Sequence, residues 1–399
     1  MKNTWRFKGN EMKYVAEVLE SGEISGTSGN FNQRFEQLFA KKVGAKYAIT
    51  FNSGTGTLHA ALDAVGVEAG DEVIIPPLTV ISNVDVVFAQ NAIPIFVDVD
   101  SDTFNINPKL LKQKISSKTK AIMPVSLFGL SCDLGAINDV AKEYNIPVIN
   151  DAAEAHMAEY QNQPISQFAD ITSYSTENSK HITTGDGGII VTDNEEYARK
   201  MRKFGSMGYA DLKSNDGRIR VLSKDIFQDP SYKRHDSFGY NYRMPEVAAA
   251  IGLAQTERMD LFIQLRIDIA KMYDEVVKNV DYLVPQKVPV GYKNTYWTYV
   301  VKYLRKDVSW QDFRKKYIEF GGDGIYGCWA ITYEETLMAK DTYKKRCPWL
   351  YNNLSYKKGL CPVAENIQPQ LMQFVNNYES MEIAQPKINA LRKTINYFK

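Results

Sequence analysis

Between residues 46 and 192 the chain alternates short apolar runs with amphipathic ones, and this alternation limits the fold more than any other feature. KYAIT (46–50), DEVIIP (71–76), IPIFVDVD (93–100), KAIMPVSL (120–127), IPVIND (146–151), FADITSYS (168–175) and GGIIVT (187–192) have strand character. Helical spacing appears between them. Leu58, Ala61, Leu62 and Val65 recur in TLHAALDAVG (57–66), and CDLGAINDVAKEY (132–144) is a second helix. NPKLLKQKI (107–115), with asparagine before proline, is a third. Strands alternating with helices predict an α/β fold: a mainly parallel sheet covered by helices.

NFNQRFEQLFAKKVG (30–44) is amphipathic, with Phe35, Leu38 and Phe39 near one face and Gly44 as its stop. Residues 242–277 are mostly helical; beyond them the pattern changes to a strand at 295–304, a helix at 309–321, and mixed helix and loop. We therefore divide the chain into a large domain, 1–260, and a smaller C-terminal α+β domain, 261–399. The length of 399 residues, 44% of them hydrophobic, suffices for both cores.

Charge and cysteine usage narrow the function. Lys and Arg total 48 against 47 Asp and Glu, which offers no bulk attraction to nucleic acid or to an anionic membrane. Cys132, Cys328, Cys347 and Cys361 form no CxxC pair, and with four histidines in the chain neither a zinc centre nor a disulfide framework is expected. Without a signal peptide or a long apolar run, the expected location is the cytoplasm.

Three motifs carry chemistry. NSGTGT (52–57) lies between a strand and a helix, where Gly54 and Gly56 let the backbone approach an anion at the helix start and Ser53, Thr55 and Thr57 offer hydroxyls; an ordinary turn explains it as well. NDAAEAH (150–156) places Asp151 at the carboxyl end of a parallel strand, as a ligand-site carboxylate or as the cap of a following helix. STENSKHITTGDGG (175–188) holds Lys180 between two core strands, on an exposed turn or as an amine freed by partial desolvation to attack a carbonyl. Ser175 is a strand-end hydroxyl or a phosphate donor, and Gly185, Gly187 and Gly188 form a sharp turn or permit close chain approach. His156 is a core or positioning residue, with general base as the alternative. Amine, carboxylate and anion loop together are what pyridoxal phosphate (PLP) requires.

Those motifs, with SGEISGTSGNFNQRFEQLFAKKVG before them and GYNYRMPEVAAAIGLAQTERMD after, resemble the DegT/DnrJ/EryC1/StrS sugar aminotransferases over roughly residues 20–265. The resemblance implies a type I aminotransferase fold, with a mainly parallel seven-stranded sheet in the large domain, and a homodimer with shared active sites. It implies that Lys180 bonds the PLP aldehyde and that Asp151 pairs with the ring nitrogen. It also places Gly54, Thr55 and Ser175 at the phosphate, Glu154 near the ring oxygen, and Asn241 at the phosphate of the neighbouring subunit's site. The implied reaction moves an amino group from glutamate or glutamine to a nucleotide-linked keto-deoxysugar. Keto-inositol amination and a catalytically silent PLP-binding regulator are the alternatives. The related sugar dehydratases carry histidine where this chain has Lys180, which favours amino transfer.

Three positions depart from the pattern: Val80 where an aromatic stacks on the cofactor, and Ser126 and Phe204 where histidines are common. These departures bear on substrate contacts. Tyr326, Trp329 and Tyr333 belong either to recognition or to the core of the second domain.

Overall fold

The computed structural model describes residues 4–219 and 223–399. A 3-10 turn at Thr4–Phe7 precedes α1 (Glu11–Ser21) and α2 (Phe31–Val43). In α2 Phe35 and Phe39 are fully buried, Leu38 packs at the margin of the same core, and Gly44 ends the helix at φ 73°. That left-handed value is one a glycine adopts without a Cβ clash.

The strands are β1 (Tyr47–Phe51), β2 (Glu72–Ile75), β3 (Ile93–Phe96), β4 (Thr119–Ile122), β5 (Ile149–Asp151), β6 (Glu159–Tyr160), β7 (Gln163–Pro164), β8 (Ile171–Ser175) and β9 (Gly188–Thr192). Helices α3 (Gly54–Ala64), α4 (Ser82–Ala89), α5 (Leu134–Tyr144) and α6 (Glu195–Phe204) flank them. β2 pairs in parallel with β3 and β4, β5 pairs in parallel with β8, and β9 is antiparallel to both β8 and β1. Parallel bridges Ile122–Val148 and Val125–Asp151 join the two groups. The result is the expected seven-stranded, mainly parallel sheet, in the order β3-β2-β4-β5-β8-β9-β1. β9 reverses because residues 176–187 return as a loop, whereas a parallel return needs a crossover. The small hairpin β6-β7 stands apart.

Successive strand residues face opposite cores, as a sheet covered on both sides requires. Val73 and Ile75 enter one core with α3, α4 and α6, while Ile74 enters the other with α1, α2 and α5. Residues 107–115, expected as an α-helix, form a 3-10 turn at Pro108–Gln113; Asn107 caps it by accepting from the Lys109 amide at 3.1 Å.

After α7 (Lys224–Gln228), α8 (Glu246–Glu257) packs against α1 and α2, and α9 (Met259–Val277) leads into a third core. That core lies between α9, α10 (Trp310–Glu319) and α14 (Met381–Tyr397) and an antiparallel sheet. The sheet runs β10 (Leu283–Pro285), β11 (Tyr299–Tyr303), β13 (Leu371–Phe374), β12 (Ile325–Gly327). Residues 331–367, with short helices α11 (Thr336–Ala339), α12 (Pro348–Tyr351) and α13 (Pro362–Ile367), return to the large-domain core. There Tyr343 stacks on Phe88 at 5.1 Å, and Tyr333 meets Phe96 edge-on at the same separation. A division at residue 260 separates α8 from the third core, and we retain it as a proposal with 331–367 assigned to the large core. Among the described residues no helix is long and apolar enough to cross a membrane, and no group of His, Cys, Asp and Glu is arranged to hold a metal. The four cysteines are free thiols.

One buried ion pair ties the helical layer to the sheet edge. Arg202 of α6 donates to both oxygens of Glu36 of α2, at 3.0 and 2.9 Å, and Glu36 also accepts from the Thr50 amide of β1 at 2.9 Å. Both side chains are buried, so removing one partner strands the other's charge. We predict that Arg202→Ala lowers unfolding stability by about 3–5 kcal/mol in urea denaturation; a change below about 1 kcal/mol would show that water replaces the lost guanidinium.

Candidate active site

At the carboxyl end of β1 the chain turns into α3, and Ser53 caps the helix: its Oγ accepts from the Gly56 amide at 3.0 Å. The Gly54 and Thr55 amides lie in the first turn, where a helix has no internal acceptor and its dipole favours an anion. β9 passes so closely that a Cβ on Gly188 would stand 2.5 Å from the Ser53 carbonyl oxygen and 2.8 Å from the Gly54 nitrogen. A Cβ on Gly54 would stand 3.1 Å from that of Ser175, so the end of β8 lies against the same turn. Of the two readings of the glycine run, Gly187 and Gly188 serve close approach and Gly185, at φ 90°, serves the turn.

Asp151 ends β5 with 2% exposure. Its Oδ2 accepts from Asn83 Nδ2 at 3.0 Å, and Asn83 Oδ1 in turn accepts from Thr79 Oγ1 at 2.8 Å. Its Oδ1 accepts from the Ala153 amide at 3.0 Å, closing a turn of its own; no helix follows, so the capping alternative falls away. Burial pushes the carboxyl above the usual range, while the Ala153 and Asn83 donors and the Lys180 charge oppose that rise.

Lys180 stands in the loop between β8 and β9 with its side chain 13% exposed, which excludes the exposed-turn reading. Its Nζ donates to Glu154 Oε1 at 3.2 Å and lies 4.2 Å from the centroid of the Trp297 ring. Glu154 is buried, which raises its carboxyl; Lys180 and the Phe128 amide, 3.0 Å from Oε2, oppose the rise. Gly54, Thr55, Val80, Asp151, Ser175 and Lys180 line one cleft of about 380 Å³. Trp297 and Trp329, near parallel at 10° and 5.8 Å apart, form a wall of it. Val80 faces the cleft at 39% exposure.

The remaining candidates separate. Asn241 is exposed, paired with Ser206 through a backbone bridge, and is not among the residues lining the cleft. Ser126 is fully buried and donates to Asn150 Oδ1 at 2.9 Å. Phe204 packs edge-on against His59 at 4.9 Å. Neither lines the cleft, so their departures from the family pattern are accommodated in the core. His156 is buried against Phe39, Tyr174 and His181, and desolvation lowers its pKa to about 3. It is a neutral core ring. Tyr333 is core and donates to Glu365, Tyr326 is exposed, and Trp329 alone of that trio reaches the cleft.

Asn83 and Trp297 were not singled out from the sequence. Asn83 sits in α4, whose Val84, Val86, Val87 and Phe88 are apolar on every side and mask a polar residue with a role. Trp297 precedes β11 and reads as strand; only the tertiary fold brings it to Lys180.

The residues fit PLP. A capped helix start offers amides to a phosphate, a buried carboxylate has neutral donors at both oxygens where a cationic ring nitrogen would relieve its desolvation, and an amine faces the same space. Comparison with known proteins agrees. The profile of the DegT/DnrJ/EryC1/StrS aminotransferase family matches residues 6–375. GDP-perosamine synthase of Escherichia coli O157:H7 is 40% identical over 290 residues, 72% of this chain and 74% of that protein. The aminotransferase from Psychrobacter cryohalolentis superposes with a TM-score of 0.83 at 28% identity, covering 97% of this chain and 96% of that one. NtdA from Bacillus subtilis, solved with bound cofactor PMP, superposes with a TM-score of 0.79 at 25% identity over 97% of this chain and 81% of that one. The chain belongs to the DegT/DnrJ/EryC1/StrS aminotransferase family, and its cofactor is PLP.

Proposed function

We propose that this aminotransferase transfers an amino group from glutamate or glutamine to the ketone of a nucleotide-linked deoxysugar. The convergence of Lys180, Asp151 and the Ser53-capped start of α3 on one cleft carries the reading. Likeness to GDP-perosamine synthase makes a GDP-linked keto-deoxysugar the first acceptor to test.

Bound PLP supplies an aldehyde for the amine and a ring that accepts electrons. The chain's own part is positional and electrostatic. The Gly54 and Thr55 amides with Ser175 would hold the phosphate, and Asp151 would favour a proton on the ring nitrogen. Lys180 carries a proton at Nζ to and from the reacting carbon, with Glu154 as the acceptor that parks the ammonium between transfers. Val80 offers an aliphatic face to the ring, contributing dispersion without the quadrupole of an aromatic. Trp297 and Trp329 narrow the cleft and exclude water on that side.

We also infer a homodimer in a reducing cytoplasm. Asn241 lies on a surface where Phe238 is 97% exposed and Tyr240 48% exposed. A second copy covering these aromatics would bring Asn241 to its own cleft, which makes assembly part of the site.

The deciding experiment supplies PLP-loaded enzyme with glutamate or glutamine and a panel of nucleotide-linked 3-keto and 4-keto sugars alongside keto-inositol, with product positions read by NMR. Amination of keto-inositol alone would establish the cyclitol alternative, and a cofactor spectrum that no amino donor changes would establish the silent regulator. For Lys180→Ala we predict no pyridoxyl label at position 180 after borohydride and a turnover loss of several orders of magnitude. Asn83→Ala should raise the Asp151 pKa further, because it removes a donor that favours the anion. Since Asp151 acts as the carboxylate and is lost as pH falls, the acid limb of kcat/KM should move to higher pH; an unmoved limb would show that Asn83 does not govern Asp151. Sedimentation should give twice the chain mass, and Asn241→Ala should weaken PLP retention about tenfold or more, the size of one hydrogen bond to a charged group.

A further inference from the structure

The backbone around Lys180 is held by side chains from two distant parts of the chain. Arg6 Nη1 donates to the Asn178 carbonyl at 2.6 Å, and Arg6 Nη2 donates to the carbonyls of Lys180 at 2.8 Å and His181 at 3.2 Å. The remaining carbonyl of this run, on Ser179, accepts from Trp297 Nε1 at 3.0 Å. Four consecutive peptide groups are thus fixed from outside the sheet: three by the N-terminal turn and one by the segment preceding β11.

Arg6 is an expensive choice for this task. It is 1% exposed, and burial lowers its pKa to about 10. Its hydrogen-bond acceptors among the described residues are carbonyl oxygens, which compensate a buried cation less than a paired carboxylate does. The turn carrying Arg6 is itself anchored. The Arg6 carbonyl accepts from Gln255 Nε2 at 2.6 Å and Arg258 Nη1 at 2.9 Å, Gln255 Nε2 also donates to Glu11 at 2.7 Å, and Trp5 packs edge-on against Phe262 at 5.7 Å. A neutral apolar side chain would fill the space at a smaller desolvation cost. Only a planar fork with several donors reaches three carbonyls at once.

We propose that Arg6 is a positioning residue for Lys180: the N-terminal turn is a strap whose guanidinium fixes the loop at residues 178–181 so that the amine is pre-set before any ligand enters. The strap's mechanical part stands on the contacts alone; its catalytic consequence rests on the aminotransferase reading. Preorganisation of a reacting group is lost when the backbone that carries it drifts by about 1 Å, at a cost near a hundredfold in rate.

The test compares wild-type full-length chain with Arg6→Gln and Arg6→Lys. In the cofactor-free proteins, amide hydrogen exchange across residues 177–182 should rise at least tenfold in Arg6→Gln, while β2 and β4 stay as protected as in wild type. In the PLP-loaded enzymes kcat should fall roughly tenfold to a hundredfold, with KM for the keto acceptor within about twofold of wild type. Arg6→Lys, which keeps the charge and some of the donors, should recover part of both losses. Unchanged exchange at 177–182 in a folded Arg6→Gln protein overturns the strap whatever the enzyme's substrate proves to be. Raised exchange with unchanged kcat overturns the positioning role. If Arg6→Gln does not fold, Trp5→Ala, which removes the packing of the turn on Phe262 and lets the turn carry the guanidinium away from the loop, must raise the same exchange; protection equal to wild type overturns the proposal.

Discussion

A carboxylate at 2% exposure is the constraint around which the site is built. Asp151 occupies the last position of a central parallel strand, flanked on one side by Ser173 of β8 and on the other by Val125. A free carboxylate there would take up a proton, and burial does push it that way. Asn83 and the Ala153 amide oppose the shift with neutral donors, which leave the negative charge uncancelled. The outcome is a carboxyl that is oriented by its donors and raised by burial, so a cation placed beside it would favour its charged form. That is the electrostatic demand a protonated pyridine nitrogen meets, and it explains why the helix α4 carrying Asn83 has to lie where it does.

The reversed strand supplies the second half of the arrangement. Because β8 runs parallel to β5, the loop that leaves it opens at the same sheet edge as Asp151, and because β9 returns antiparallel, Lys180 arrives there without a crossover helix. The same reversal brings Gly188 against the Ser53–Gly54 turn, a contact that a side chain would forbid. Amine and anion turn are therefore set by one topological choice. A loop of this kind has few backbone partners within its own strand pair, so its peptide groups need donors from elsewhere, and Arg6 and Trp297 supply them.

Much of this was legible before the fold was known. Periodicity located the seven sheet strands to within a few residues, because a sheet buried on both faces demands apolar runs whose neighbours face opposite cores. Lys180, Asp151, Gly54, Thr55 and Ser175, which share one cleft, could be picked out because each lies at or a few residues beyond a strand end in polar or glycine-rich sequence, and because those motifs resemble the family's. Asn83 could not, since its role depends on the facing of one helix, and Trp297 could not, since its partner is 117 residues away in sequence. The 107–115 segment misled for a local reason: the Asn107 cap and the proline start a helical turn, but the backbone tightens to 3-10 spacing and closes after six residues. The packing of the C-terminal region is not legible for a global reason. Residues 331–367 carry tyrosines that could pack against either core, and composition does not say which.

Their actual packing bears on how the cleft works. Thr332 donates to the Pro77 carbonyl through both its amide and its hydroxyl, at 3.0 Å each, and Asp98 accepts from the Val363 and Ala364 amides at 2.8 and 2.9 Å at the start of α13. Tyr343 and Tyr351 close around Phe88 in the same core. Trp329 is thus fastened to the large domain from the side of its own chain. Trp297, which faces it, is fastened through its indole to Ser179 and through its carbonyl to Arg266 at 2.6 Å. Arg266 belongs to α9, so Trp297 is held on one side by the C-terminal part of the chain and on the other, through Ser179, by the loop that carries Lys180. The aromatic side of the cleft is thus tied to the large core at two separate points, through Ser179 and through the Thr332–Pro77 contact.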